Sequence, residues 1–175
     1  MTIDGLNIKH PKIRGEWAEL RFMARAAEQG FAVNKPWGES CHYDFVVQFN
    51  KCLLRVQVKS TMYREGSNYC CILRRPGARY QKDDFDFLAI YVIPRDLWYI
   101  VPVAVALAKG QRIYLNPDSD GSIYASYREA WSQLKEKLCI NHANADLCFR
   151  HGCPTRVECE PDLAPDADIN LNPTI

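Results

Sequence analysis

The chain has 175 residues, 47% of them apolar and 25% charged. That composition fits one globular domain with a short appendage and excludes fibrous, collagen-like and wholly disordered classes. The longest nearly uncharged apolar stretch, Leu97 to Ala108, runs 12 residues with a proline inside it, against about 18 for a membrane span. Met1 to Lys12 has no apolar core of a secretion signal. The expectation is a soluble, cytoplasmic protein that is not secreted and has no membrane partner. The net charge of +1 divides unevenly, +7 over residues 1–82 and −6 over residues 83–175, and a basic half suits a polyanionic partner. Eight cysteines are too few for a disulfide scaffold, and no secretory context favours disulfides.

In chain order, Gly15 to Gln29 reads as a helix that stops at Gly30, with Trp17, Leu20, Met23, Ala24 and Ala27 as its apolar face. Phe31 to Val33 fits a short strand, and Lys35 to Ser40 a loop broken by Pro36 and Gly38. Asp44 to Phe49 and Cys52 to Lys59 read as two antiparallel strands joined at Asn50-Lys51. In the second, Leu54, Val56 and Val58 face one way and Arg55, Gln57 and Lys59 the other. Tyr69 to Leu73 is expected to be a third strand of this group. Phe85 to Ile93 and Leu97 to Val103 form a hairpin about Pro94-Arg95-Asp96.

A short helix over Val103 to Lys109 and a small edge strand over Arg112 to Leu115 follow. A second long helix is predicted over Tyr127 to Leu138, with Ala130, Trp131, Leu134 and Leu138 on one face. Helix, run of strands, helix predicts an α+β or α/β layer fold. Residues 1–138 read as the folded domain and 139–160 as a Cys/His-rich extension. Residues 161–175 lack Lys and Arg, which predicts a disordered acidic tail.

Two features are chemically odd. Glu19 shares a helix track with Phe22, Met23 and Ala26, so its carboxylate either reaches water or needs a partner to offset desolvation. Asp44 opens one strand while Gln57 and Lys59 share a face of the next. These three are either a solvated ion pair with a bystander or a converging carboxylate, amide and ammonium.

Taken in order, Gly15-Glu-Trp-Ala-Glu19 opens a helix, Tyr43-Asp44 opens a strand, and Arg55-Val-Gln-Val-Lys-Ser60 ends the next. This set resembles the PD-(D/E)xK nuclease superfamily, and within it the branch of group I intron-associated homing endonucleases. The similarity spans about residues 9–105. It takes in the Gly30-Phe31 helix exit, Pro36-Trp-Gly38, Val56-Gln-Val-Lys59, Asp86-Phe-Leu-Ala-Ile-Tyr91 and Trp98-Tyr-Ile-Val-Pro-Val103.

The resemblance implies an α/β fold with a restriction-endonuclease-like core, a central mixed β-sheet flanked by helices. It implies a catalytic set of Glu19, Asp44, Gln57 and Lys59, with Glu16 as the alternative helix acid. Asp44, Gln57 and Glu19 become the ligands of Mg²⁺, with Mn²⁺ as a substitute, because hard divalent ions take oxygen donors. Gln57 departs from the commonest Asp or Glu, though the homing branch uses Gln in that slot. Removing one charge should weaken metal binding. The implied activity is Mg²⁺-dependent hydrolysis of phosphodiester bonds in duplex DNA, site-specific in the manner of a homing endonuclease, by a homo-oligomer. Its rivals are a structure-selective nuclease of the Holliday-junction-resolvase kind and a catalytically silent DNA-binding module of the same fold.

Basic residues cluster after Lys59. Arg64, Arg74, Arg75, Arg79 and Lys82, interleaved with Tyr63, Tyr69 and Tyr80, read as DNA-phosphate contacts, with Arg14 a weaker candidate. The C-terminal extension carries Cys139, His142, Cys148, His151, Cys153 and Cys159. The two CxxH pairs fall within zinc-ligand spacing. No CxxC pair is present, so free thiols are expected there in preference to zinc.

Overall fold

The computed structural model describes residues 8–38, 40–49, 52–75 and 77–136. The extension over 139–160, with its six Cys and His residues, and the tail over 161–175 lie outside the described residues.

Helix α1 spans Pro11–Glu28, four residues longer at its start than the sequence suggested. Proline at the first helical position explains the early start, since its missing N–H has no helical acceptor there. The C-terminus closes as expected at Gly30, whose φ of +84° turns the chain. Gly30 N–H donates to Ala27 O at 2.9 Å and Phe31 N–H to Ala26 O at 3.1 Å, the paired bonds of a Schellman cap. The buried face is Ala18, Phe22 and Ala26, whereas Leu20 is exposed and so are Ala24 and Ala27. An alanine-rich helix offers two apolar tracks, and docking on the sheet selected the one through Phe22.

Strands β1 (Ala32–Asn34), β2 (Phe45–Phe49), β3 (Cys52–Thr61), β6 (Phe87–Val92) and β7 (Leu97–Pro102) form a five-stranded sheet in the order β1-β2-β3-β6-β7. Only the β3–β6 pair is parallel. The sheet is therefore mixed, and its centre is buried on both faces. In β6, Phe87, Ala89 and Tyr91 face α1, while Leu88, Ile90 and Val92 face the opposite core. This is why β6 reads as an unbroken apolar run rather than an alternating one. Asp86 sets its register: its N–H donates to Arg55 O, and its carboxylate accepts from Arg55 N–H, both at 2.9 Å.

Strands β4 (Arg64–Glu65), β5 (Asn68–Ile72) and β8 (Arg112–Leu115) make a separate antiparallel sheet in the order β4-β5-β8. The third strand expected beside β3 is thus β5 of this second layer. Its Tyr69 and Cys71 pack with Ile113 and Leu115 against the far face of the central sheet. Burial of that face needed a cover, and the crossover between the parallel strands β3 and β6 supplies it. The short helix α2 (Val103–Leu107) completes the layer.

The second long helix is corrected. Residues 125–127 form a 3₁₀ turn, Arg128 bridges to Tyr99, and among the described residues of this stretch helix begins at residue 132. Glu129, at φ +49°, donates its N–H to Trp98 O at 2.8 Å and accepts from Trp98 N–H at 2.7 Å. Covering the exposed edge of β7 outweighed helical propensity there. Trp131 and Leu134 still reach the core.

The β6–β7 turn places Asp96 in the left-handed region at φ +47°. Its carboxylate accepts from Arg21 on α1 at 2.7 Å and from the Tyr91 hydroxyl. Burial and the Asp96 hydrogen bond together push Tyr91 up to about 12. Asp96→Ala strands both donors, so we expect a loss of about 2 kcal/mol in denaturant unfolding. Asp96→Asn, which tolerates the left-handed backbone, should lose less.

Candidate active site

Asp44 immediately precedes β2 and lies opposite Gln57, because Phe45 pairs with Val56. Asp44 N–H donates to Val56 O at 3.0 Å. Its Oδ2 accepts from Val58 N–H at 2.7 Å and from Gln57 Nε2. Gln57 also donates to Val58 O at 3.2 Å. Beyond Asp44 strand β2 is finished while β3 runs on to Thr61, so Lys59 projects past the edge of its neighbour.

The aromatic core brings α1 to the same place. Phe22 stacks on Phe45 with ring centroids 5.2 Å apart. Phe22 lies one helical turn from Glu19, and Phe45 follows Asp44. Glu19, Asp44, Gln57 and Lys59 consequently line one cleft of about 220 Å³, together with Arg14 and Ser60. The partner that Glu19 called for is Lys35, 2.8 Å from its Oε2. That hydrogen bond holds the Lys35 ammonium above its ordinary pKa. Glu16 lines an adjoining cleft with Glu19 and Asp44.

Electrostatically the site lacks positive charge where it is most buried. Burial pushes Asp44 up to about 6, and the neighbouring Glu19 charge adds to that; the Val58 hydrogen bond, Lys59 and Lys35 act against it. Among the described residues no hydrogen bond reaches Asp44 Oδ1 or Gln57 Oε1. Hard oxygen donors around a buried carboxylate fit a divalent cation such as Mg²⁺. No group of three His, Cys, Asp or Glu converges among the described residues, and the position between Val56 and Val58 carries an amide in place of a carboxylate. The Gln57 amide turns its NH₂ toward Asp44, so its oxygen reaches a shared cation only after a half-turn of the amide.

A wider cleft of about 580 Å³ adjoins the site, lined by Asp44, Gln57, Lys59, Arg74, Arg75 and Tyr80 among others. Of the expected DNA contacts, Arg74 and Arg75 lie here and Arg14 in the smaller cleft. Arg64 lies on β4 over the Tyr69 ring and lines neither cleft. Arg79 and Lys82 are exposed and also line neither. Only Tyr63 of the three tyrosines is on the surface. Tyr69 is core, and Tyr80 lies 5.4 Å below the Lys59 ammonium.

Sequence reasoning missed Lys35, His42 and Asp84. His42 lines the wider cleft, and its Nδ1 lies 2.7 Å from Asp84 Oδ1. Burial raises the Asp84 carboxyl, yet hydrogen bonds from Gln81 N–H and His42 leave its pKa below the ordinary value. Asp84 also faces Arg75 at 3.7 Å. The closeness of His42 to Asp44 in the chain was the one available signal. Asp84 and Lys35 had none.

The sequence model of the family described as PD-(D/E)XK endonuclease matches residues 9–134. No curated protein matches the chain. Among solved structures, the bacterial homing endonuclease I-Ssp6803I is 32% identical with a TM-score of 0.69, covering 77% of this chain and 98% of that one. Hjc, a Holliday junction resolvase from Archaeoglobus fulgidus, is 17% identical with a TM-score of 0.44, covering 59% of this chain and 84% of that one. With a mixed central sheet, Asp44 immediately before β2 and opposite Gln57 of β3, Lys59 farther along β3, and a family match across most of its length, the chain belongs to the PD-(D/E)XK endonuclease family.

Proposed function

We propose that the chain is a Mg²⁺-dependent endonuclease that hydrolyses phosphodiester bonds in duplex DNA at defined sites. The observation that carries this reading is the single cleft lined by Glu19, Asp44, Gln57 and Lys59. The similarity to a homing endonuclease supports site-specific cleavage over structure-selective cleavage. Asp44, the Gln57 side-chain oxygen and Glu19 hold the cation, with Mn²⁺ as a substitute. When bound, the ion supplies Lewis acidity and charge neutralisation at the scissile phosphate.

The chain's own residues do the rest. Lys59 orients the attacking water and neutralises charge that develops on the phosphoryl oxygens. Tyr80 beneath its ammonium restricts where that charge can go. Lys35, at 2.8 Å, anchors the Glu19 carboxylate in the cleft it shares with Asp44. Arg74 and Arg75 hold flanking phosphates, which makes binding salt-dependent. A homo-oligomer, with one site for each strand, is the working form that the likeness to a homing endonuclease favours. The protein then acts where the DNA is, in the cytoplasm.

The test is cleavage of long, sequence-diverse duplex DNA by the full chain with Mg²⁺ and with EDTA. Discrete fragments that require Mg²⁺ are expected. Intact DNA in Mg²⁺, with duplex binding retained, would replace this reading by that of a silent binding module.

A further inference from the structure

Trp37 is 99% exposed, while Trp98 and Trp131 are buried and Trp17 packs on the core. An indole is the largest apolar surface a side chain can offer for burial, and here none of it is used for folding. The backbone around it holds it outward. Pro36 restricts the chain before it, and Gly38 turns the chain after it at φ +78°. The root of the loop is tied to the catalytic helix by Lys35 and Glu19 at 2.8 Å. Lys35, Pro36 and Gly38, on both sides of Trp37, line a cleft of about 300 Å³ with Glu16, Glu19 and Asp44. The exposed indole therefore stands on the rim of the active site, between two residues that line it.

We infer that Trp37 is a base-stacking wedge: its indole packs against a nucleobase next to the phosphate held at Asp44 and loosens the duplex stack there. This rests on the nuclease reading and specifies how the site engages DNA. Every base has an aromatic face, so such a contact adds affinity without selecting sequence. Apolar side chains that enter a base step also bend the duplex, which brings the backbone down toward a recessed carboxylate. Arg14, Arg74 and Arg75 in the adjoining clefts supply long-range attraction, and the indole supplies a short-range contact that salt does not screen.

The experiment uses the full chain in EDTA, so that no DNA is cut, with a fluorescein-labelled mixed-sequence duplex whose anisotropy reports binding. Tryptophan emission is followed in parallel. The wild-type emission is expected to be quenched as anisotropy rises, and the Trp37→Phe protein should bind without that quench. The Trp37→Ala protein should bind about tenfold more weakly, the range of one lost stacking contact, and should unfold at the wild-type temperature because nothing packs on the indole. Rising anisotropy with unchanged Trp37 emission would overturn the wedge and leave DNA binding standing. No rise in anisotropy would overturn both readings. A Trp37 emission that shifts with protein concentration and no DNA would assign the indole to a second copy of the chain and overturn the wedge.

Discussion

Lys59→Ala is expected to lower Mg²⁺-dependent cleavage by about 10²–10³-fold, the cost of removing one preorganised group that stabilises charge in a transition state. Duplex affinity should change by about threefold or less, because Arg14, Arg74 and Arg75 also line the clefts and each phosphate contact contributes only part of the total. The substitution should be tolerated. Lys59 is partly exposed on its strand, and its ammonium rests on Tyr80, which the core holds independently. Single-turnover cleavage measured beside anisotropy separates the two effects. Equal losses in cleavage and binding would mark Lys59 as a DNA contact with no special role in the chemistry.

Asp44→Asn should abolish cleavage and yet make the metal-free protein more stable at pH 8. The Asp44 carboxyl titrates at about 6 in the folded chain, above the ordinary 3.8. As pH rises, the unfolded form therefore ionises first and is favoured, so the carboxylate subtracts stability across that window and continues to do so above it. Asparagine carries no charge to desolvate, and its carbonyl can still accept from Val58 N–H. Discounted for partial exposure, the gain is about 2 kcal/mol at pH 8, falling to nothing below pH 4. Denaturant unfolding in EDTA at the two pH values measures it. The same gain at both values would show that the carboxylate carries no burial penalty. Adding Mg²⁺ should stabilise the wild type alone, since binding to the native state is what shifts the equilibrium.

That trade-off explains part of why the site was legible in the residues. Gln57 and Lys59 sit two apart on a strand whose other face is Leu54, Val56 and Val58, and a period of two assigns faces without further information. Asp44 follows from the strand ahead of it, since a two-residue link at 50–51 forces an antiparallel return. The helix stop at Gly30 and the unbroken apolar run of β6 are equally local. Glu19 needed more. Its helix showed two apolar tracks, and periodicity centred the buried face too far round: Trp17 and Met23 pack on the core, but Leu20, Ala24 and Ala27 do not. The stack of Phe22 on Phe45 is what turns Glu19 toward Asp44.

By itself, then, the sequence determined the strand faces, the helix exit and the placing of Gln57 and Lys59 on one face beside the strand that Asp44 opens, all of which depend on near neighbours and backbone geometry. The tertiary structure alone decided which face of α1 is buried, that β5 covers the sheet instead of extending it, and that Glu129 guards the β7 edge in place of a longer helix. It also decided the Lys35–Glu19 and His42–Asp84 pairs, 16 and 42 residues apart. These are contests between long-range burial or hydrogen bonding and local propensity. The winner is set by which surface meets which, information that no window of neighbouring residues contains.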